Sequence, residues 1–264
     1  MSIENQLSEL IDGLPEGISE GVALGTGLAD GFDLYPSPVG DVVVTFNIEG
    51  VSSVDLATRG YEERFADRHR RRLLRAEPPS AWGSHIPEAI EAGTPGRLPV
   101  DLSSRTPFQA QILLIAASIP RGEVRPYGWL AREANRPGAS RAVGSTMARN
   151  PVPLIIPCHR VVRSDGSIGE YSLGGPDNKW DLLSYEGVEP ARLVDLAEHH
   201  VRVQGDSSTH VYCHPTCRVI RRSKPGNVVD FTTTAAALSA GFRPCELCRP
   251  GGGHPRNWVE QGRM

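Results

Sequence analysis

Four of the five cysteines of this 264-residue chain fall within one short segment, at Cys213, Cys217, Cys245 and Cys248. The spacing C-x3-C-x27-C-x2-C is that of two knuckles closing on one tetrahedral ion. Two ligand pairs sharing an ion oblige the chain between them to fold back on itself. Zinc is favoured over two disulfides or free thiols. The N-terminus, MSIENQLSELIDG, is polar and acidic and lacks the pattern of a secretory signal, which predicts a cytoplasmic, thiol-reducing setting. The metal-bearing unit is expected over about residues 201–250.

No apolar run approaches the roughly 18–20 residues of a membrane span, so no membrane partner is expected. Hydrophobic residues make up 39% of the chain and charged residues 22%, an ordinary globular balance with room for two small domains or one large one. The net charge of −3 hides a gradient: residues 1–106 carry −8, residues 107–199 are neutral, and residues 200–264 carry +5. A basic C-terminal segment suits an anionic partner such as nucleic acid, although a solvated surface has the same composition.

Along the chain, NQLSELIDGL places Leu7, Leu10, Ile11 and Leu14 at helical spacing. GVALGTGLADG is glycine-rich without a GK[ST] sequel and reads as a flexible connector. SPVGDVVVTFNIEGVSSVDLA reads as two strands joined at Ile48-Glu49-Gly50. RFADRHRRRLLRAEPPS is basic and reads as a solvated helix face, with DNA contact as the alternative. From residue 107 the pattern turns helical: PFQAQILLIAASIP, YGWLAREANRPG and ASRAVGSTMARN, the last two joined by a tight turn as in a helix-turn-helix. The second of these carries Ala139, Ala142, Gly144, Ser145 and Ala148. Small residues allow close backbone approach, to a minor groove or equally to another helix. VVRSDGSIGEYSLGG reads as a hairpin and loop, NKWDLLSYEGV as a closing helix and EPARLVDLAEHH as a connector.

The fifth cysteine, Cys158, has no partner in this arithmetic. It stands in NPVPLIIPCHRVV, after an apolar run and beside His159. A lone buried cysteine is commonly inert packing, whereas one with a basic neighbour at the end of an apolar strand is a candidate nucleophile.

SPVGDVVV, FQAQ, IPRGEVRPYGWLA, SRAVGSTMARNPVP, IPCHRVV, GEYSLGG and KWDLLSYEG follow in order through residues 37–187, and this region resembles the 6-O-alkylguanine-DNA alkyltransferases. Residues 201–250, with HVYCHPTCRVIRR and GFRPCELCRP, resemble the zinc-binding module of the Ada proteins. In those proteins the module precedes the alkyltransferase; here it follows, and no AraC-type activator segment is present.

The resemblance implies an α+β chain. It comprises an N-terminal extension (1–36), a ribonuclease-H-like α/β subdomain (37–104), a helical, helix-turn-helix-containing catalytic domain (105–190), a small four-cysteine zinc domain (201–250) and a tail (251–264). It implies direct reversal of DNA damage, with irreversible transfer of the alkyl group from 6-O-alkylguanine to Cys158. His159 takes the thiol proton, Glu186 orients and charge-balances the imidazole, and Asn150 ties the cysteine loop to the helix-turn-helix. Tyr127 donates a proton to the leaving guanine and helps rotate the nucleotide out. The base must leave the stack to be reached. Arg141 fills the gap it leaves, and Ala142, Gly144 and Ser145 belong to the DNA-facing helix. Met147, Pro153, Val161, Tyr171 and Ser172 are expected to wall the pocket; the YSLGGP loop is one residue longer than the commonest family pattern, which alters the reach of Ser172. The expected partner is double-stranded DNA containing alkylated guanine, bound by a monomer without a nucleotide cofactor.

For the zinc site the resemblance makes Cys213 a candidate acceptor of methyl groups from methylphosphotriesters. Four thiolates about Zn²⁺ carry a net charge of −2, which repels ordinary phosphates but not a neutral triester. The alternative is a closed structural knuckle beneath Arg218, Arg221, Arg222 and Lys224. His214, standing where Arg is usual, and a shortened leader before Val211 depart from the Ada pattern. Two rival readings of the whole chain are a methylation-responsive DNA-binding regulator and a damage-binding module without chemistry. Cys158 speaks against the latter.

Overall fold

The computed structural model describes residues 18–69, 72–163 and 166–251. They form two compact units, one holding the chain to Ser104 together with Pro151–Pro153, the other Arg105–Asn150 and everything from Leu154 onward. The helix expected over residues 5–14 lies outside the described residues. No helix among those described is long and apolar enough to cross a membrane.

The first unit is a four-stranded sheet with helices. Strands β1 (Ala29–Tyr35), β2 (Val42–Asn47), β3 (Gly50–Leu56) and β4 (Arg72–Arg75) stand in the order β3-β2-β1-β4. The first three form an antiparallel meander, and β4 lies parallel to β1. VVVTFN of β2 is buried along its whole length, as a central strand of β-branched residues should be. The expected hairpin forms, with Asn47 opposite Gly50. Gly50 is obligatory there: its φ is 149°, and a Cβ would lie 2.6 Å from the carbonyl of Pro99. The supposed connector GVALGTGLADG is instead the helix α1 (Ile18–Gly25) running into β1. Its glycines end the helix rather than loosen the chain, since Gly27 is left-handed and Leu28 N–H bonds back to the Ala23 carbonyl. The basic run is divided between the helix α2 (Tyr61–His69) and β4. Helix α3 (His85–Ala92) completes the unit.

The second unit opens with α4 (Pro107–Ala117), started by a reciprocal capping box between Thr106 and Gln109 and by proline in its first turn. Ile112, Leu113, Ile115 and Ala116 bury its inner face. Then follow a two-residue strand β5 (Arg125–Pro126), α5 (Tyr127–Glu133) and α6 (Ser140–Ala148), the last two joined through a left-handed Asn135. A 3-10 turn (Cys158–Arg160) leads into β6 (Val161–Val162), which pairs in parallel with β5. Among the described residues β6 pairs with β5 rather than with a strand after it, and Arg163 N–H bonds to the Ser167 carbonyl across the expected turn.

Helix α7 (Gly175–Tyr185) is the expected closing helix. The supposed connector after it is a second helix, α8 (Pro190–Glu198). Pro190 starts it, and Leu193 packs into an apolar cluster with Val124, Val162, Leu183 and Val188. The unit ends in a small sheet of β7 (Val203–Asp206), β8 (Val211–Cys213), β9 (Val228–Phe231) and β10 (Arg243–Pro244), in the order β10-β8-β7-β9. Helix α9 (Thr234–Ser239), capped by the Thr233 hydroxyl, covers it through Ala237, which packs with Val203, Tyr212 and Phe242.

Candidate active site and zinc centre

Cys158 follows Pro157 at the head of the 3-10 turn and is 4% exposed. Asn150, just past the end of α6, donates its side-chain amide to the Ile156 carbonyl (2.7 Å) and to the Cys158 sulfur (3.2 Å). One residue thus ties the exposed helix to the thiol. His159 Nε2 stands 2.9 Å from Glu186 Oε1. A carboxylate only accepts, so Nε2 carries the proton and Nδ1 the lone pair. Nδ1 is buried and finds no hydrogen-bond partner among the described residues.

Two residues that spacing did not single out complete this network. Arg160, 1% exposed, donates from Nε to Glu186 Oε2 (2.8 Å), from Nη2 to Glu186 Oε1 (2.6 Å) and from Nη1 to the Ile119 carbonyl (2.8 Å). Lys179, also 1% exposed, donates to the carbonyls of Val161 (2.7 Å) and Glu170 (3.4 Å). Arg160 carried a signal, as a charge beside the apolar Val161-Val162 needs a buried partner, but sequence could not say which one; Lys179, in the polar PDNKWD, carried none.

The electrostatics fit a thiol that must be deprotonated in place. Burial pushes the Cys158 thiol up, with Asn150, Lys179 and Ser172 drawing it part of the way back. Burial likewise lowers the His159 imidazole, against the pull of Glu186, so the ring is a neutral acceptor. Burial disfavours the Glu186 carboxylate, yet the hydrogen bonds and charges of His159 and Arg160 prevail and bring its pKa down to about 2. Burial lowers Lys179 to about 8 despite the opposing influence of Cys158. Tyr127 is raised, by burial first and by Cys158 next, and so keeps its proton.

The thiol opens on a cavity of about 300 Å³ lined by Tyr127, Gly144, Met147, Ala148, Cys158, Arg163, Glu170, Tyr171 and Ser172. Met147, Tyr171 and Ser172, three of the residues assigned to the pocket, are among its lining. Val161 stands behind the wall, fully buried, with its carbonyl taken by Lys179. Pro153 is buried and groups with the first unit. Of the residues assigned to α6, Arg141, Ala142 and Ser145 are exposed and Gly144 is half-buried, while Val143, Thr146 and Met147 face inward. The outer face is therefore built of small side chains around a single arginine at 141.

Cys213, Cys217, Cys245 and Cys248 converge, all buried, with their sulfurs within 4.8 Å of one another. Tetrahedral zinc with bonds near 2.3 Å needs sulfurs about 3.8 Å apart, so the donor set fits the ion after small closure. His214 N–H points at the Cys248 sulfur (3.4 Å), as backbone donors do around metal-bound thiolates. Val211 and Ile220 are the remaining members of this cluster. The four cysteines hold zinc.

Residues 107–188 match the family model described as "6-O-methylguanine DNA methyltransferase, DNA binding domain", and residues 198–251 match "Metal binding domain of Ada". The chain is also similar to curated methylated-DNA--protein-cysteine methyltransferases. That of Mus musculus is 58% identical over 82 residues, covering 31% of this chain and 39% of the relative. That of Homo sapiens is 44% identical over 104 residues, covering 39% and 50%. The chain spans half or less of the length of these relatives. Among solved structures, Mycobacterium tuberculosis OGT in complex with DNA is 29% identical, with 63% of this chain and 98% of that chain covered and a TM-score of 0.47.

Proposed function

We propose, from the premise that residues 107–188 belong to the 6-O-methylguanine-DNA methyltransferase family and residues 198–251 are an Ada-type metal-binding domain, that this chain repairs DNA by direct reversal. The alkyl group of 6-O-alkylguanine passes to Cys158 in a single turnover. The observation that carries the reading is the chain of contacts Asn150–Cys158 and His159–Glu186 at the floor of a cavity beside α6.

The chemistry follows from those contacts. Displacement at a saturated carbon needs a polarisable nucleophile, and the thiolate supplies it. The thiol proton passes to His159 Nδ1 through a water, and the anionic Glu186 stabilises the imidazolium that forms. The Lys179 ammonium offsets the thiolate. Sulfur then bonds the alkyl carbon as the carbon–oxygen bond breaks, and the guanine anion takes a proton from Tyr127. A thioether has no labile bond, so the protein is consumed. Peptide mass spectrometry after incubation with methylated duplex DNA tests this. Cys158 should gain the mass of one CH₂, and an unmodified Cys158 would overturn the reading.

DNA is engaged through phosphates and the minor groove with little sequence preference, because the outer face of α6 is nearly bare. Arg141 fills the place of the flipped base. Arg141→Ala should then slow repair of duplex DNA far more than dealkylation of the free analogue benzylguanine. Equal losses on both would remove Arg141 from that role. A regulator without repair is not favoured, since the buried thiol, base and carboxylate serve chemistry rather than binding.

For the zinc module the structural reading is preferred. Cys213 is 0% exposed, and its three companions are buried as well, which describes a closed site rather than one open to a triester. With DNA whose sole lesion is a methylphosphotriester, Cys213 should stay unmodified. A methyl group found on Cys213, in the Cys158→Ala variant too, would establish a second repair activity instead.

A further inference from the structure

The zinc module grips the helix-turn-helix at both ends of its first helix. Thr216 lies between two zinc ligands, Cys213 and Cys217. Its hydroxyl accepts from Val124 N–H (2.8 Å) and donates to the Val124 carbonyl (3.3 Å). Next to Cys217, Arg218 N–H donates to Glu123 Oε1 (3.1 Å), and Glu123 is ion-paired with Arg125, both side chains being 2% exposed or less. Residues 123–125 lead directly into Tyr127, the first residue of α5.

The second knuckle holds the other end. Arg249, immediately after Cys248, pairs through Nη2 with Glu133 Oε2 at 2.6 Å, and the Glu133 side chain is 0% exposed. Arg132 donates to the Pro250 carbonyl at 3.2 Å. Between these points the Trp129 ring meets two guanidinium groups, Arg125 at 5.7 Å and Arg249 at 5.9 Å. Tyr127 lines the reaction cavity, and Arg125 pairs in β5 with Val161, three residues beyond Cys158.

We propose that the two zinc knuckles act as a clamp on α5, with Thr216 and Arg249 as positioning residues that hold Tyr127 and the helix-turn-helix in register with Cys158, so that repair of duplex DNA depends on zinc. The proposal rests on the repair reading above. Neither residue touches substrate. Their effect falls mainly on a substrate that must be gripped and flipped, since a displacement of about 1 Å in a positioning element can cost up to a hundredfold in rate. A free base meets only the Tyr127 proton donor and needs no such grip.

The test compares the full zinc-loaded chain with Thr216→Val, which removes the hydroxyl and keeps the shape, and with Thr216→Ser, which restores it. Arg249→Ala and Glu133→Gln open the second contact from either side, and Glu133 lies outside the zinc module. Zinc content is measured for each. The readouts are methyl transfer to Cys158 from duplex 6-O-methylguanine, dealkylation of free benzylguanine, and amide hydrogen exchange over residues 123–148. Thr216→Val, Arg249→Ala and Glu133→Gln should slow duplex transfer about tenfold or more and speed exchange, with free-base dealkylation slowed much less and Thr216→Ser restored. If Thr216→Val or Arg249→Ala loses zinc, Glu133→Gln decides. Zinc-loaded variants with unchanged duplex rates and unchanged exchange would overturn the clamp. If the unmodified chain dealkylates neither substrate, the repair reading fails, and hydrogen exchange alone still decides whether the clamp exists.

Discussion

Cys158→Ala is expected to abolish alkyl transfer from 6-O-methylguanine while DNA binding persists. Asn150 donates to the Cys158 sulfur, Lys179 and Ser172 favour its anion, and among the described residues the other four cysteines cluster at the zinc site. Peptide mass spectrometry and a DNA-binding titration together check it, and methyl transfer that survives the substitution would remove Cys158 as the acceptor. Glu186→Gln probes the same network with a different result. Glu186 orients His159, so its loss should slow transfer. Both Glu186 oxygens also hold the buried guanidinium of Arg160, so the fold is affected too.

Removing one partner of a buried ion pair costs about 3–5 kcal/mol, so Glu186→Gln should lower stability by that order as well as slow transfer. The native carboxyl titrates at about 2 against an ordinary 4.5. Its contribution of roughly 3 kcal/mol is therefore complete above pH 4.5 and lost as the pH falls from there through 2. Denaturant unfolding across that window should show the acid limb in the unmodified chain and a weaker one in Glu186→Gln.

Chelating the zinc is expected to unfold residues 201–251. Four of the six members of the apolar cluster at the metal are the ligands themselves, with only Val211 and Ile220 beside them. Little would hold the knuckles together once the thiolates repel one another. Structural zinc contributes about 10–16 kcal/mol in small domains of this kind, far more than the second cluster of Val203, Tyr212, Ala237 and Phe242 can replace. Limited proteolysis of chelated protein should cut between Val201 and Gly251 and be reversed by added zinc. Undiminished protease resistance without metal would contradict this account.

Local signals carried much of the architecture. Pro107 announced α4, Ile48-Glu49-Gly50 the hairpin, and the cysteine spacing the metal centre. The failures had physical causes. Gly21, Gly25 and Gly27 suggested looseness, whereas tertiary contact at Ala23 makes a helix and Gly27 stops it. Pro190 with Leu193 and Leu196 had the marks of a helix though the segment reads as a connector, and the partners that bury Leu193, such as Val124 and Val162, are remote in sequence. Arg160 and Lys179 were visible only as charges, since their partners lie 26 and 18 residues away in the chain.

Helix α8 has a consequence for how the two modules of the second unit came to share a chain. A flexible linker of a dozen residues would leave docking to mass action at a local concentration set by the tether, and weak contacts would compete with its entropy. Nine helical residues, anchored through Leu193 and Leu196, remove most of that competition in advance. An interface of a few hydrogen bonds and one ion pair can then stay closed without great intrinsic affinity. What fixes the zinc module is the splint and its landing site, and either end of a catalytic domain could in principle carry such a splint. Sequence order along the chain is then a weak constraint on function, and the joint a strong one.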